Sequence, residues 1–137
     1  MGALPYLKLY GLMAAVFFAI DLLWLGVIAP GFYRRHLGHL MRPDVVWGAA
    51  ILFYLLYLAG VLVFAVLPGL QAASLARTAA LGAFFGLVAY ATFDLTSMAL
   101  MRDFPPIVVA LDLAWGTVLT GTVAAAGFGL GRWLGIG

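Results

Sequence analysis

Three aspartates, Asp21, Asp94 and Asp112, stand inside stretches of chain that are otherwise almost wholly apolar. A charged side chain well inside a bilayer costs about 2.5–3.5 kcal/mol on insertion scales, so ionisable residues there face a bundle interior or cavity and often mark a ligand site or pathway. Trp24 and Trp115 each follow one of these aspartates by three residues, Tyr90 precedes Asp94 by four, and Tyr54 and Tyr57 are the polar groups inside another apolar run. An acidic shell walled by Trp and Tyr suits a small cationic or amphiphilic ligand, through charge pairing and cation–π contact. Close carboxylates at low dielectric cannot all stay ionised unless a cation compensates, so exchange of a proton for a cation is the chemistry such a site would do. The plainer alternative leaves each Asp neutral and hydrogen-bonded across the bundle, a contact worth about 0.6 kcal/mol, with the aromatics as interfacial anchors.

Composition says what must hold these residues. Of 137 residues, 66% are hydrophobic and only 9% charged, and the mean hydropathy is +1.16. A soluble domain of this size cannot hide so much apolar surface, so its solvent is lipid. A bilayer core of roughly 30 Å takes about 20 apolar residues as helix. Four runs have that length, at about 9–29, 46–67, 78–101 and 107–130, separated by Pro30-Gly31, Arg42-Pro43, Pro68-Gly69 and Pro105-Pro106. The expected fold is an all-α membrane protein of four transmembrane helices forming a single integral membrane domain over 1–137. The first run is too long for a secretion signal and ends without a small-x-small cleavage pattern, so it is expected to be retained. With four spans filling the chain, no soluble catalytic domain is expected.

Helical rise places the three carboxylates at similar depth. Asp94 lies roughly 12 Å before Arg102, Asp21 roughly 13 Å before Pro30 and Asp112 roughly 9 Å after Pro106, all three ends being on one side of the membrane. On the third run Gly82, Gly86, Tyr90 and Asp94 recur every four residues; on the fourth, Asp112, Gly116 and Thr120 repeat the spacing. Small-xxx-small spacing of this kind packs helices closely, so Gly82, Gly86 and Gly116 are helix-packing residues and the carboxylates share their inward face. The same stripes can join protomers, and a homo-oligomer is expected. Asp44-Val45-Val46-Trp47-Gly48 resembles Asp112-Leu113-Ala114-Trp115-Gly116, and Asp21-Leu22 resembles Asp94-Leu95. These matches suggest two helical hairpins related as parallel repeats.

Loops one and three carry Arg34, Arg35, Arg42 and Arg102, against Lys8, Arg77 and Arg132 on the other face. These four arginines read as topology signals and contacts to membrane lipid headgroups, and the bias puts loops one and three in the cytoplasm. His36 and His39 stand three apart, but no third ligand beyond Asp44 is evident and the arginines repel a cation; no metal site and no cofactor are expected. Seven basic residues against five acidic make no nucleic-acid surface. Cysteine is absent, and no Gly-rich phosphate loop, Ser-His-Asp arrangement or HExxH motif occurs, so no catalytic residue is assigned.

The blocks DLLWLG (21–26), GFYRRHLG (31–38), YATFDLTSMAL (90–100) and LDLAWGT (111–117) resemble, in order and spacing, the small bacterial membrane proteins catalogued as domain-of-unknown-function 2177. The resemblance implies a four-helix, multi-pass protein of the bacterial inner membrane and brings no residue roles with it. Three readings of function stay open: a small transporter or ligand-binding membrane protein using the three aspartates; a lipid-acting membrane enzyme or accessory using Asp44, His36 or Asp112; and a structural partner subunit. The balance leans away from an enzyme.

Overall fold

The helices begin and end on a few residues whose backbone preferences leave little choice. Pro5 sits in the first turn of α1 (Leu4–Leu23), where a missing N–H breaks no helical hydrogen bond. The computed structural model, which describes residues 2–29, 31–41 and 44–136, continues α1 into a π-helical turn, Trp24–Ile28. Ala29 N–H closes that turn on the Trp24 carbonyl at 2.8 Å. Gly31, at φ +83°, turns the chain into the short α2 (Phe32–Leu37), a conformation that glycine alone adopts without steric cost. Arg42, assigned above to the headgroup contacts, lies outside the described residues, as do Pro30 and Pro43.

The second span, α3 (Trp47–Gln71), runs past the break expected at Pro68-Gly69. A π-helical stretch, Leu62–Val66, precedes the proline, and Leu67 N–H reaches back five residues to the Leu62 carbonyl. The wider turn admits Pro68 without ending the helix. Gly69 is helical and serves close packing rather than a turn, since a Cβ there would strike the Thr78 side chain of the next helix. The turn falls instead at Ala73, at φ +51°, and Ser74 caps α4 (Leu75–Leu100) by accepting a hydrogen bond from Arg77 N–H at 3.0 Å. Pro106 opens α5 (Pro106–Trp133). Helix α1 starts at Leu4 rather than at residue 9 because Lys8, exposed near the helix end, can reach the interface along its own stem.

These four long helices are each of a length and composition able to cross a membrane. Their polarity is reversed from that of a water-soluble bundle. Leu22, Leu56, Phe64, Phe84 and Val118 face outward, whereas the buried polar side chains among the described residues are Thr78, Asp94, Ser97 and Thr120. Lipid accepts the first set, and only protein can satisfy the second. Thr92, Thr117 and Thr122 each donate to the carbonyl four residues back, at 2.7 Å, so their hydroxyls need no partner.

Helices α4 and α5 lie in intimate contact along glycines. A Cβ on Gly82 would meet Ala124 and the Thr120 carbonyl, one on Gly86 would meet the Gly116 carbonyl and Thr120, and one on Gly116 would meet the Tyr90 ring. Helix α1 packs on α3 and α5 through Leu9, Met13 and Phe17, spaced four apart and buried with Val61, Ala65, Val66, Leu119, Val123 and Ala124.

Candidate functional site

The stripe that holds α4 against α5 also aims their carboxylates. Gly82, Gly86, Tyr90 and Asp94 follow one face of α4, and the last of them is completely buried. Half-buried Asp112 comes from the second turn of α5, and half-buried Asp21 from the end of α1. All three line one cavity of about 240 Å³, together with Trp24, Trp115, Tyr54 and Tyr90. The shared depth read from helical rise therefore corresponds to a shared space.

Among the described residues, Asp112 is the one of the three that accepts a side-chain hydrogen bond at an ordinary distance. Tyr33, on α2, donates its hydroxyl to Asp112 Oδ1 at 2.9 Å and accepts from Trp24 Nε1 at 3.1 Å. Burial is the main reason that the Tyr33 hydroxyl is raised well above its ordinary pKa, so it remains a donor at neutral pH. The chain Trp24, Tyr33, Asp112 thus ties α1, α2 and α5 together along the wall of the cavity. Trp24 also stacks on Trp115 with ring centroids 4.3 Å apart and planes 10° from parallel. The three-residue Asp-to-Trp spacing on both helices has this consequence: each helix brings one carboxylate and one face of the stack.

Asp94 is different. Its carboxyl faces that of Asp112, yet among the described residues neither Oδ1 nor Oδ2 has a hydrogen-bond partner. Asp21 is likewise turned toward the Trp115 indole and Asp112, without closing a hydrogen bond, and Trp115 Nε1 is also buried and unpartnered. A buried polar group left alone loses about 1–3 kcal/mol of desolvation free energy, more when charged. The Asp94 carboxyl and the Trp115 indole N–H are thus buried with the carboxyls of Asp112 and Asp21 turned toward them.

Other residues singled out from the sequence go elsewhere. Tyr57 is buried below the cavity, where its hydroxyl hydrogen-bonds with that of Thr120, and it does not line the space. Arg34, Arg35 and Arg102 are exposed near the end of the bundle to which the cavity opens. His36 packs on Phe32, ring centroids 4.5 Å apart, with Nδ1 placed 3.0 Å from the Phe32 carbonyl oxygen. His39 Nε2 lies 3.1 Å from the Asp103 carbonyl oxygen. Asp44 is exposed ahead of α3, unlike Asp112 in the matching motif, which lies inside α5. Among the described residues no group of three or more His, Cys, Asp or Glu is placed to hold a metal.

Sequence reading missed Tyr33 as a site residue. The signal was present: Phe32, Tyr33, His36 and Leu37 are half-buried while Arg34 and Arg35 are exposed, the spacing of a one-sided helix laid on the bundle.

Four apolar spans that enclose polar side chains and present hydrocarbon outward define a polytopic α-helical integral membrane protein. Its family is DUF2177: a family model described as a predicted membrane protein matches residues 6–129, and the chain belongs to it. No curated protein and no solved structure gives a significant match.

Proposed function

We propose that this protein is a small transporter or ligand-binding membrane protein that takes up a proton or small cation at Asp94, the preferred cation being an ammonium group. The observation that carries the reading is the completely buried, unpartnered Asp94 carboxyl in a cavity that also contains Asp21 and Asp112. An ionised Asp94 there is uncompensated, so it is held neutral or waits for a cation, and the two states interconvert when one arrives. An ammonium group brings three donors to a site short of them. The parallel Trp24 and Trp115 rings and the Tyr54 and Tyr90 rings supply faces for its apolar part. Of the residues on which an enzymatic reading would rest, His36 and Asp44 are outside this space and Asp112 lines it. A bacterial inner-membrane location, cytoplasmic loops one and three and a homo-oligomeric state belong to the same proposal.

The test is thermal unfolding of the full chain and of Asp94→Asn in mild detergent, with and without ethylammonium. The variant keeps the shape and hydrogen-bonding capacity of the residue and removes its charge. The expected result is an ethylammonium-dependent rise in Tm for the parent, none for the variant, and a variant as stable as the parent or more so. A parent indifferent to ethylammonium, or a variant that loses more than about 1 kcal/mol as a structural hydrogen-bonding group would, sinks the proposal.

A further inference from the structure

A second cavity of about 300 Å³ lies between α3 and α4, lined by Phe53, Tyr54, Ala89, Tyr90, Phe93 and Asp112, and it shares Tyr54, Tyr90, Phe93 and Asp112 with the first. Phe53 is 49% and Phe93 58% exposed. Phe53 lies six residues into α3 and Phe93 seven before the end of α4, so at helical rise both stand roughly 9–11 Å inside the span, where the medium is hydrocarbon. This flank therefore opens sideways to the bilayer. The other flank runs past Leu25 and Tyr33 to a hollow that contains Arg34, with Arg35 exposed beside it. A cation that approaches from water meets guanidinium groups first; one that approaches from the bilayer meets aromatic faces and then Asp112. Like charge at one entrance and π faces at the other select the route.

Resting on the function proposed above, we infer that the ligand is an amphiphile with a primary ammonium head, admitted from the bilayer between α3 and α4. Its head lies among Asp94, Asp112 and Asp21 while its tail remains in the opening between Phe53 and Phe93. The site is then divided by chemistry: carboxylates and the Trp115 indole N–H inside, apolar and aromatic groups at the threshold, lipid outside. A tail that stays in hydrocarbon gives up little on binding, and the head exchanges an interfacial position for three carboxylates. Ala89 is the small residue at the threshold, and its methyl leaves the passage open.

The experiment uses the full chain in phosphatidylcholine nanodiscs and compares dodecylammonium, dodecanol and ethylammonium as ligands by Tm shift, for the parent and for Ala89→Phe. Dodecylammonium at a given membrane fraction is expected to stabilise the parent, with dodecanol inert. Ala89→Phe is expected to need at least tenfold more dodecylammonium for the same shift, with its response to ethylammonium retained. That retained response also establishes that the variant is folded with its pocket intact; should it fail to fold, Ala89→Leu provides the same comparison with less bulk. Native mass spectra distinguish the source: phosphatidylethanolamine carried by the parent and lost in the variant assigns a resident phospholipid, and dodecylammonium binding without it assigns a single-chain amine, either supporting the inference. If ethylammonium binds through Asp94 but dodecylammonium does no better than dodecanol, or if Ala89→Phe responds like the parent, the lateral route is overturned and the pocket reading survives. If neither amine acts, both fall together.

Discussion

The two halves of this molecule solve the same packing problem in different proportions of backbone and side chain. Helices α4 and α5 approach through Gly82, Gly86 and Gly116, positions at which a single added methyl would strike a carbonyl, a methyl or a ring. Helix α1 brings no glycine to its contacts, Gly11 having open space where a Cβ would go; of the α3 glycines Gly48 is likewise open, whereas Gly60 and Gly69 lie against the Phe85 ring and the Thr78 side chain of α4, and both helices contain π-helical turns. The first pair is held by backbone proximity, the usual source of cohesion where the surrounding lipid offers no hydrophobic drive. The second pair is held to the first by side chains: Trp24 on Trp115, Tyr57 with Thr120, and Met13 against Gly127. The candidate site lies between a closely packed hairpin and a more loosely attached one. A ligand pocket that must admit an occupant is expected at that seam rather than within the glycine-packed pair.

The sharpest way to break this comparison is Gly86→Ala. The added methyl meets the Gly116 carbonyl and the Thr120 side chain; backbone cannot step aside, so the cost belongs at the upper end of overpacking, about 3 kcal/mol. Reversible unfolding in mixed micelles measures it. A loss below about 1 kcal/mol would mean that α4 and α5 slide apart freely, and the claimed difference between the halves would be gone.

How much of this was readable beforehand follows the same division. Period-four glycines and a carboxylate at fixed helical depth are one-dimensional signals, so the inward face of α4 and the common level of Asp21, Asp94 and Asp112 could be read from spacing alone. Helix existence was equally legible, because a bilayer demands long apolar runs. The π turns were not: a five-residue hydrogen-bond register leaves no mark in composition, and the one at Leu62–Val66 carried α3 past a proline that reads as a stop. Tyr57 and Tyr54 are indistinguishable as letters in one apolar run, three apart, yet one meets Thr120 and the other the cavity. Tyr33 is illegible for another reason: it sits in an arginine-rich connection between spans, and its face is set only when the six-residue helix Phe32–Leu37 forms.

Next in expected size is the stack that joins the halves. A double-mutant cycle with Trp24→Leu and Trp115→Leu should return a coupling of about 0.5–1.5 kcal/mol, the range of aromatic pairs beyond their buried area. Strict additivity would show that α1 is positioned by its Leu9, Met13 and Phe17 stripe alone. Tyr57→Phe is smaller again, about 0.6 kcal/mol, since Thr120 can turn its hydroxyl to a carbonyl of its own helix. A cost above about 2 kcal/mol would instead identify that buried pair as the main fastening between α3 and α5.

The smallest effect carries the most information about assembly. Gly11 lies on the exposed face of α1 with Ala15 one turn further on, and nothing within 4 Å meets a Cβ added at Gly11. Within one protomer, Gly11→Ala should therefore change stability by no more than about 1 kcal/mol, and in the favourable direction, because alanine is the better helix former. The same small-xxx-small spacing on an outward face is what a second copy of the chain would use for close approach. If α1 faces only lipid, sedimentation in detergent will give the same mass for Gly11→Ala and parent. If the loosely held half is completed by the corresponding half of a neighbour, the added methyl will shift the chain toward monomer and cost stability that depends on protein concentration. In that case the looseness of α1 and α3 belongs to the isolated protomer alone, and the contrast between the halves would have to be restated for the assembled protein.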